Sequence, residues 1–561
     1  MREIVNDLKI LVLGLVVLLT CLPFSAQEAR FSSPFDFPLL LSANFGELRA
    51  GHFHGGLDIK TQNSIGWPVH SVADGYISRA TVSNGGYGNG LYITHTNGYT
   101  TVYGHLDSFS APVAERIRQY QYEHETYVTD ITFSPDEFPV KEGEVVALSG
   151  NTGYSFGPHL HFEVRITETD EPVDPLQFFS DRITDNVPPR ASSVMLYPKK
   201  GKGLVAGTDE KYYMEVKDGR VQQPTIVKAW GKVGAAIAAH DYMTGTTNYY
   251  GVRYVKLYVD DVLVSESEVD RFSFDENPML DSWTDYAERL QTGAWYMCST
   301  FAPGNSLRML KAHNDDYGWV TIDEERDYRF RYELCDYYGN RAIYRFTVRG
   351  ERQDLPVVLP NYFYYLSAGE PHILSWRDLT LWLPEDALYE DLQLDVETSE
   401  NDVKQFCRVP TPLKANAELR LQVNQPLVAD KSKYCIAEVY NGSLICRGGR
   451  YEYGWMKTTI DRLGTYTVMV DTVPPRIVPH QQTTWMNDGV LSFKLGDVGS
   501  GISSYRGTID GEWKLFKFSS KDMLLWCNLG EENVPRGNHT AEITVTDLCG
   551  NVSTYDVEFE Y

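Results

Sequence analysis

The sequence predicts a mainly β chain, with an antiparallel β domain towards its N-terminal end and β-sandwiches in tandem behind it. Aromatic residues make up 13% of the chain, and tyrosine alone contributes 37. Such a composition favours the pleated, half-buried surface of strands. Short strand-like runs alternate with glycine turns in the first third, and no heptad or helical period stands out. Near-repeats further along mark out units the size of small β domains. At 561 residues several units are expected, because one core rarely grows past about 250–300 residues.

The first element is a leader. Arg2 and Lys9 precede ILVLGLVVLLTCLPF at 10–24, and SAQEA follows. A basic start, an apolar run of about 7–15 residues and a small residue at the cut describe a secretory signal peptide. Cleavage is expected after Ala26, which makes 1–26 the leader. An uncut membrane anchor is the other reading, but the run falls short of the ~20 residues that span a bilayer comfortably. No other segment could span, so no transmembrane span is expected after cleavage. Cys21 follows Leu18-Leu19-Thr20, which weakly resembles a lipoprotein signal with Thr20 a poor fit. The expected location is therefore the periplasm or cell surface, with a lipid anchor at Cys21 as the weaker variant. A formal net charge of −25 argues against nucleic acid as a partner, since that binding depends on Lys and Arg neutralising phosphates.

The second element, 27–185, holds eight of the chain's 13 histidines. Its glycine turns (HGGLD, NGGYGNG, TNGY, KEGE, GNTG) separate short runs such as LYITH and EVVALSG, the pattern of a compact hairpin domain. Two hexapeptides then nearly repeat, DNVPPR at 185–190 and DTVPPR at 471–476. Two endings match as well: CDYYGNRAIYRFTVRG at 335–350 and TDLCGNVSTYDVEFEY at 546–561. A Pro-Pro linker thus opens a unit, and an Asp…Gly-Asn turn leads into its last strand. This gives β-sandwiches of immunoglobulin-like kind at 186–350 and 471–561. A β-rich middle domain is expected at 351–470; in the other reading it extends a neighbour. Of eight cysteines, seven remain once Cys21 is removed, an odd number that leaves a thiol unpaired. Cys435 with Cys446 is a candidate hairpin bridge.

The chemistry concentrates in three short motifs. In GPHLHFEV, 157–164, side chains alternate between faces of a strand, so His159, His161 and Glu163 point one way and Leu160, Phe162 and Val164 the other. Two imidazoles on one face suggest a metal ligand with its helper, or an acid/base pair. In HFHGGLD, 52–58, His54 and Asp58 are four apart. Four residues of straight strand cover about 13 Å, whereas two ligands of one zinc lie only roughly 3–4 Å apart. Gly55-Gly56 would let the chain bend and bring both to one ion. His52 has no evident role. In TVYGHLDSF, 101–109, His105 sits where the chain turns after a strand. Each motif alone is a weak signal; their conjunction in one β domain is not. Two His and one carboxylate leave the fourth position of a tetrahedral zinc for water, the mark of a catalytic site.

These motifs, with GWPVHSVADGYI, GYGNGLYITHTNGY and VKEGEVVALSGNTGYSFGPHLHFEV between and around them, make about 40–178 resemble the catalytic domain of lysostaphin-like (LytM-type) zinc endopeptidases. The departure is a longer insert at about 110–138, placed to line or cover one end of the groove. The resemblance implies one Zn2+ held by His54, Asp58 and His161, with His105 and His159 as the catalytic histidines. It further implies an exported enzyme that hydrolyses the peptide stems and cross-links of bacterial peptidoglycan. The alternative is a non-catalytic LytM-type regulator or scaffold for other wall hydrolases, against which the complete ligand set counts. Glu163 is expected to support the site rather than react, and Tyr103 and Asn89 to be structural. The sandwiches are expected to act as spacers or as binding modules for a cell-envelope protein or the wall.

Overall fold

The computed structural model describes residues 30–355, 364–376, 378–398, 403–407, 409–424 and 428–561. The expected leader at 1–26 and the lipidation candidate Cys21 lie outside the described residues. Among the described residues no helix is long and apolar enough to cross a membrane.

The N-terminal unit is built on a nine-stranded sheet. Its strands are β1 (Leu41–Ala43), β2 (Leu57–Lys60), β3 (Gly75–Val82), β4 (Asn89–His95), β5 (Tyr99–Gly104), β6 (Thr129–Thr132) and β7 (His159–Ile166), with two short strands at the side. The order across the sheet is β1-β2-β7-β5-β4-β3-β6, every pair antiparallel. β7 is therefore central. Leu160, Phe162 and Val164 are fully buried on its apolar face, packed with Tyr103 and Phe179. The insert forms helix α1 (Ala111–His124) and β6. The exposed side of α1 is turned to the C-terminal unit, where Arg118 pairs with Glu532 and Tyr122 packs edge-on against Trp513.

Residues 190–350 share one eleven-stranded sheet. Its long strands are β8 (Arg190–Val205), β9 (Val227–His240), β10 (Tyr254–Val259), β11 (Asp327–Cys335) and β12 (Arg341–Gly350). β9 pairs antiparallel with β8 along most of its length and parallel with β12 at its start, so a single strand carries the sheet around one core. That core also takes in Phe45 and Phe53 of the N-terminal unit, which pack against Phe272. In return, Met243 and Tyr250 belong to the N-terminal core. The first two units are thus keyed into each other. The middle region has two five-stranded sheets around its own core, and the last unit two four-stranded sheets around another. Among the described residues the cysteines are all free thiols, so the local bridge expected between Cys435 and Cys446 is not formed. The strand partner of Cys446 is Ala437 rather than Cys435, although the thiols of Cys435 and Cys446 are close enough to interact.

Candidate metal centre

Strand register assembles the site. β7 pairs with β2 on one flank and β5 on the other, which sets His161 opposite both Asp58 and Gly104. A Cβ at residue 104 would meet the Cβ of His161 at 3.2 Å, so glycine there leaves the imidazole its space. His159, two residues earlier on the same face, stands opposite Lys60. His105 follows β5 directly and takes a left-handed φ of 60°. Such a backbone is uncommon outside glycine and clusters at functional sites.

Asp58 Oδ1 lies 3.0 Å from His54 Nε2 and 2.9 Å from His161 Nδ1, and the two nitrogens are 3.0 Å apart. Each ring commits its other nitrogen elsewhere. His54 Nδ1–H donates to the Asn44 carbonyl at 2.7 Å, and His161 Nε2–H to Glu163 Oε1 at 2.8 Å. When the rings are neutral, the two facing nitrogens therefore carry lone pairs. Two lone pairs and a carboxylate oxygen at this spacing have only a cation to share, and ligands about 2 Å from one zinc stand roughly this far apart. Arg49 Nη2 donates to Asp58 Oδ2 at 3.0 Å, which leaves Oδ1 for the centre.

The electrostatics agree. Burial would raise the Asp58 carboxyl, but His54 and the hydrogen bonds from the three surrounding histidines hold it well below the usual range. Burial pushes His54 down. It would lower His161 too, yet Asp58 and Glu163 raise that ring to about 9: positive charge is drawn to this spot, as a proton or as a metal ion. Glu163 is itself fully buried; burial would raise it, and Arg165 with His161 brings it down to about 2. Arg165 Nε donates to Glu163 Oε2 at 2.7 Å, and the Tyr87 hydroxyl donates to Oε1.

His159 and His105 border the three donors. His159 Nδ1–H donates to the Gly157 carbonyl at 2.8 Å, and its Nε2 is 3.5 Å from Asp58 Oδ1. His105 Nδ1–H donates to the Thr152 carbonyl at 2.8 Å, and its ring centroid is 4.7 Å from that of His159. Burial, then the neighbouring His161 and His159, push His105 down to about 3, so its ring is neutral. The structure thus brings together all five residues singled out in the sequence. His52 is exposed and outside the cluster. Tyr103 is buried and bonded to Thr101, while Asn89 Nδ2 donates to Leu106 O at 3.0 Å and steadies the turn after His105. Sequence reasoning missed Asn44, Arg49 and Thr152. Two of them act through backbone carbonyls, which leave no side-chain signature; Arg49 lies outside HFHGGLD.

The family model for "Peptidase family M23" matches residues 52–122 and 127–175, a stretch that contains all five side chains. This part of the chain is a peptidase M23 domain. The M23 domain is 35% identical over 147 residues to the DD-carboxypeptidase/endopeptidase Mpg of Neisseria meningitidis, an alignment covering 26% of each chain. It is 30% identical over 146 residues to the peptidoglycan DD-endopeptidase ShyC of Vibrio cholerae, covering 24% of this chain and 27% of that one. The solved catalytic domain of lysostaphin from Staphylococcus simulans aligns with 24% of this chain and 89% of its own, at 26% identity and a TM-score of 0.18. The chain spans about a quarter of the length of the curated relatives it matches. Behind the M23 domain, residues 363–471 match the family model for a Zu5-like domain. The donor set of His54, Asp58 and His161 is compatible with the zinc of M23 metallopeptidases.

Proposed function

We propose that the chain is an exported zinc-dependent endopeptidase that hydrolyses peptide cross-links of bacterial peptidoglycan. One observation carries the reading: two imidazole nitrogens and a carboxylate oxygen converge within 3.0 Å of one another, with two further imidazoles alongside. In this reading His54 Nε2, His161 Nδ1 and Asp58 Oδ1 hold the metal. Bound zinc supplies a Lewis acid that polarises a peptide carbonyl and makes water a nucleophile near neutral pH. His159, with Nδ1 tied to Gly157, offers Nε2 as the base that takes the proton of the attacking water. His105, with Nδ1 tied to Thr152 and its ring beside that of His159, is the second proposed catalytic histidine and stands next to the place where the oxyanion would form. The names of the curated relatives support peptide stems of peptidoglycan as the substrate, and the downstream β units would carry contacts to other envelope components.

The test separates metal binding from chemistry. Purified His54→Ala is expected to lose zinc, and His159→Ala to keep zinc yet solubilise cell-wall sacculi at least about 10²-fold more slowly. Unchanged solubilisation by both variants would eliminate the proposal.

A further inference from the structure

A second group of ligand-type side chains lies outside the M23 domain. Asp185 stands in the first Pro-Pro linker, Asp241 follows the last residue of β9, and Asp336 follows β11. One carboxylate oxygen from each lies within 4.8 Å of the others. Asp241 and Asp336 are only 4% and 2% exposed.

Acidic clusters are common, so the hydrogen bonds decide. Asp185 Oδ1 accepts from Val187 N at 3.1 Å and from Thr244 N at 2.9 Å. Both oxygens of Asp336 accept from Asn340, its backbone N–H at 2.9 Å and its amide at 2.7 Å. Of the three oxygens that remain, two, Asp241 Oδ1 and Asp185 Oδ2, are buried without any partner. Among the described residues no Lys or Arg pairs with any of the three, and the Asp241 carboxyl is pushed up by burial and then by Asp336 and Asp185. Buried carboxylates are normally paired, protonated or bound to a metal.

We propose that Asp185, Asp241 and Asp336 form a calcium site. Calcium takes 6–8 oxygens at about 2.3–2.6 Å, so two of its ligands stand at most about 5 Å apart. Three carboxylates meet that spacing and supply the charge; water completes the shell. An all-oxygen donor set selects such a hard cation, whereas the imidazoles of the M23 site suit zinc. Calcium here would fix the linker to the sheet beside the hairpin that ends at Tyr250, which is bridged to Asp241 and whose hydroxyl donates to Leu41 O of the M23 domain.

The chain repeats the arrangement. Asp471, Asp497 and Asp547 come together in the last unit. Val473 N donates to Asp471 Oδ1 as Val187 does to Asp185, and Asn551 holds Asp547 as Asn340 holds Asp336. There Asp497 is partly exposed and Ser500 N takes the second oxygen of Asp471, so the proposal is confined to the first group.

To test it, the full chain is stripped with EGTA, resupplied with zinc and titrated with calcium chloride by isothermal titration calorimetry. The isosteric Asp241→Asn is run beside it, with Asp336→Asn as a second variant. The expected result is one calcium ion fewer per chain in each variant, and a melting temperature that calcium raises in the wild type more than in the variants. No calcium binding by the wild type, or equal stoichiometry in wild type and Asp241→Asn, overturns the proposal. The first of these outcomes needs no variant to fold.

Discussion

Asn44 and Gly251 exchange two hydrogen bonds across 207 residues of chain, Nδ2 to O at 2.9 Å and N to Oδ1 at 2.8 Å. The pairing reaches the metal centre, because the carbonyl of that same Asn44 accepts from His54 Nδ1. A residue of the loop between β9 and β10 thereby fixes the carbonyl that sets the tautomer and aim of a proposed ligand. Outer partners of this kind are worth about 10–100-fold in metal affinity. Asn44→Ala is expected to weaken zinc binding by about that much, read by competition with a chromophoric chelator, without touching a ligand. Wild-type affinity in this variant would show that the neighbouring unit does not support the site.

Glu163 faces both ways, taking the proton of His161 Nε2 on one oxygen and Arg165 on the other. Its side chain is fully buried and that of Arg165 is 5% exposed. Glu163→Gln keeps the shape and removes the charge, leaving Arg165 buried with its main counter-charge gone. Breaking a buried pair in this way costs about 3–5 kcal/mol. Urea unfolding followed by circular dichroism is expected to show a loss of that order, along with weaker zinc retention. A change under about 1 kcal/mol would mean that Asp170, which also pairs with Arg165, suffices.

Lys521 of the last unit reaches the rim of the M23 domain, where Nζ donates to Asn151 O at 2.8 Å and to Ser155 O. The same loop carries Thr152, which holds His105, and Ser155, whose hydroxyl lies 3.2 Å from His159 Nδ1. Removing the tether is expected to loosen the loop without changing the proposed metal ligands. In Lys521→Ala, amide exchange across 151–157 should quicken and hydrolysis of sacculi slow by several-fold, with zinc content unchanged. Exchange identical to the wild type would sink the idea that the C-terminal unit steadies the rim of the candidate site.

Much of the centre could be read from sequence because period-two alternation fixes which side chains of 157–164 share a face, and one-residue slips are forbidden once Leu160, Phe162 and Val164 are buried. The role of Gly55-Gly56 was legible in part. Neither glycine has a positive φ, so a bend that only glycine could make is not what requires them. The missing Cβ is: at residue 56 it would stand 2.2 Å from Phe162 O, and at residue 55 it would stand 3.0 Å from Glu163 Oε1. Close approach beneath β7 looks identical to chain reversal when only the letters are visible. Repeats at 185–190 and 335–350 signalled β units but not the carboxylates they gather, since Asp241 belongs to neither motif. The keying of Phe45 and Phe53 into the next core was invisible, because an aromatic residue carries no label for the core it enters.

Asp241 gives the calcium proposal a second, independent signature in pH. Without cation its carboxyl is pushed from an ordinary 3.8 to about 8, by burial first and then by Asp336 and Asp185. The groups that face it are Asp185 from the linker, Asp336 and Cys335 at the end of β11, and Tyr250 across the hairpin. A folded-state value above the unfolded one means that the protonated form is favoured on folding. Its contribution is complete below about pH 4 and lost as pH rises through about 8. Calcium binds the deprotonated form and offsets that loss. Melting temperatures of calcium-free protein should therefore fall with pH over this window more steeply in the wild type than in Asp241→Asn. Added calcium should flatten the wild-type curve alone. Parallel curves for the two proteins in calcium-free buffer would mean that Asp241 is ionised without help, and that nothing at this junction requires a cation.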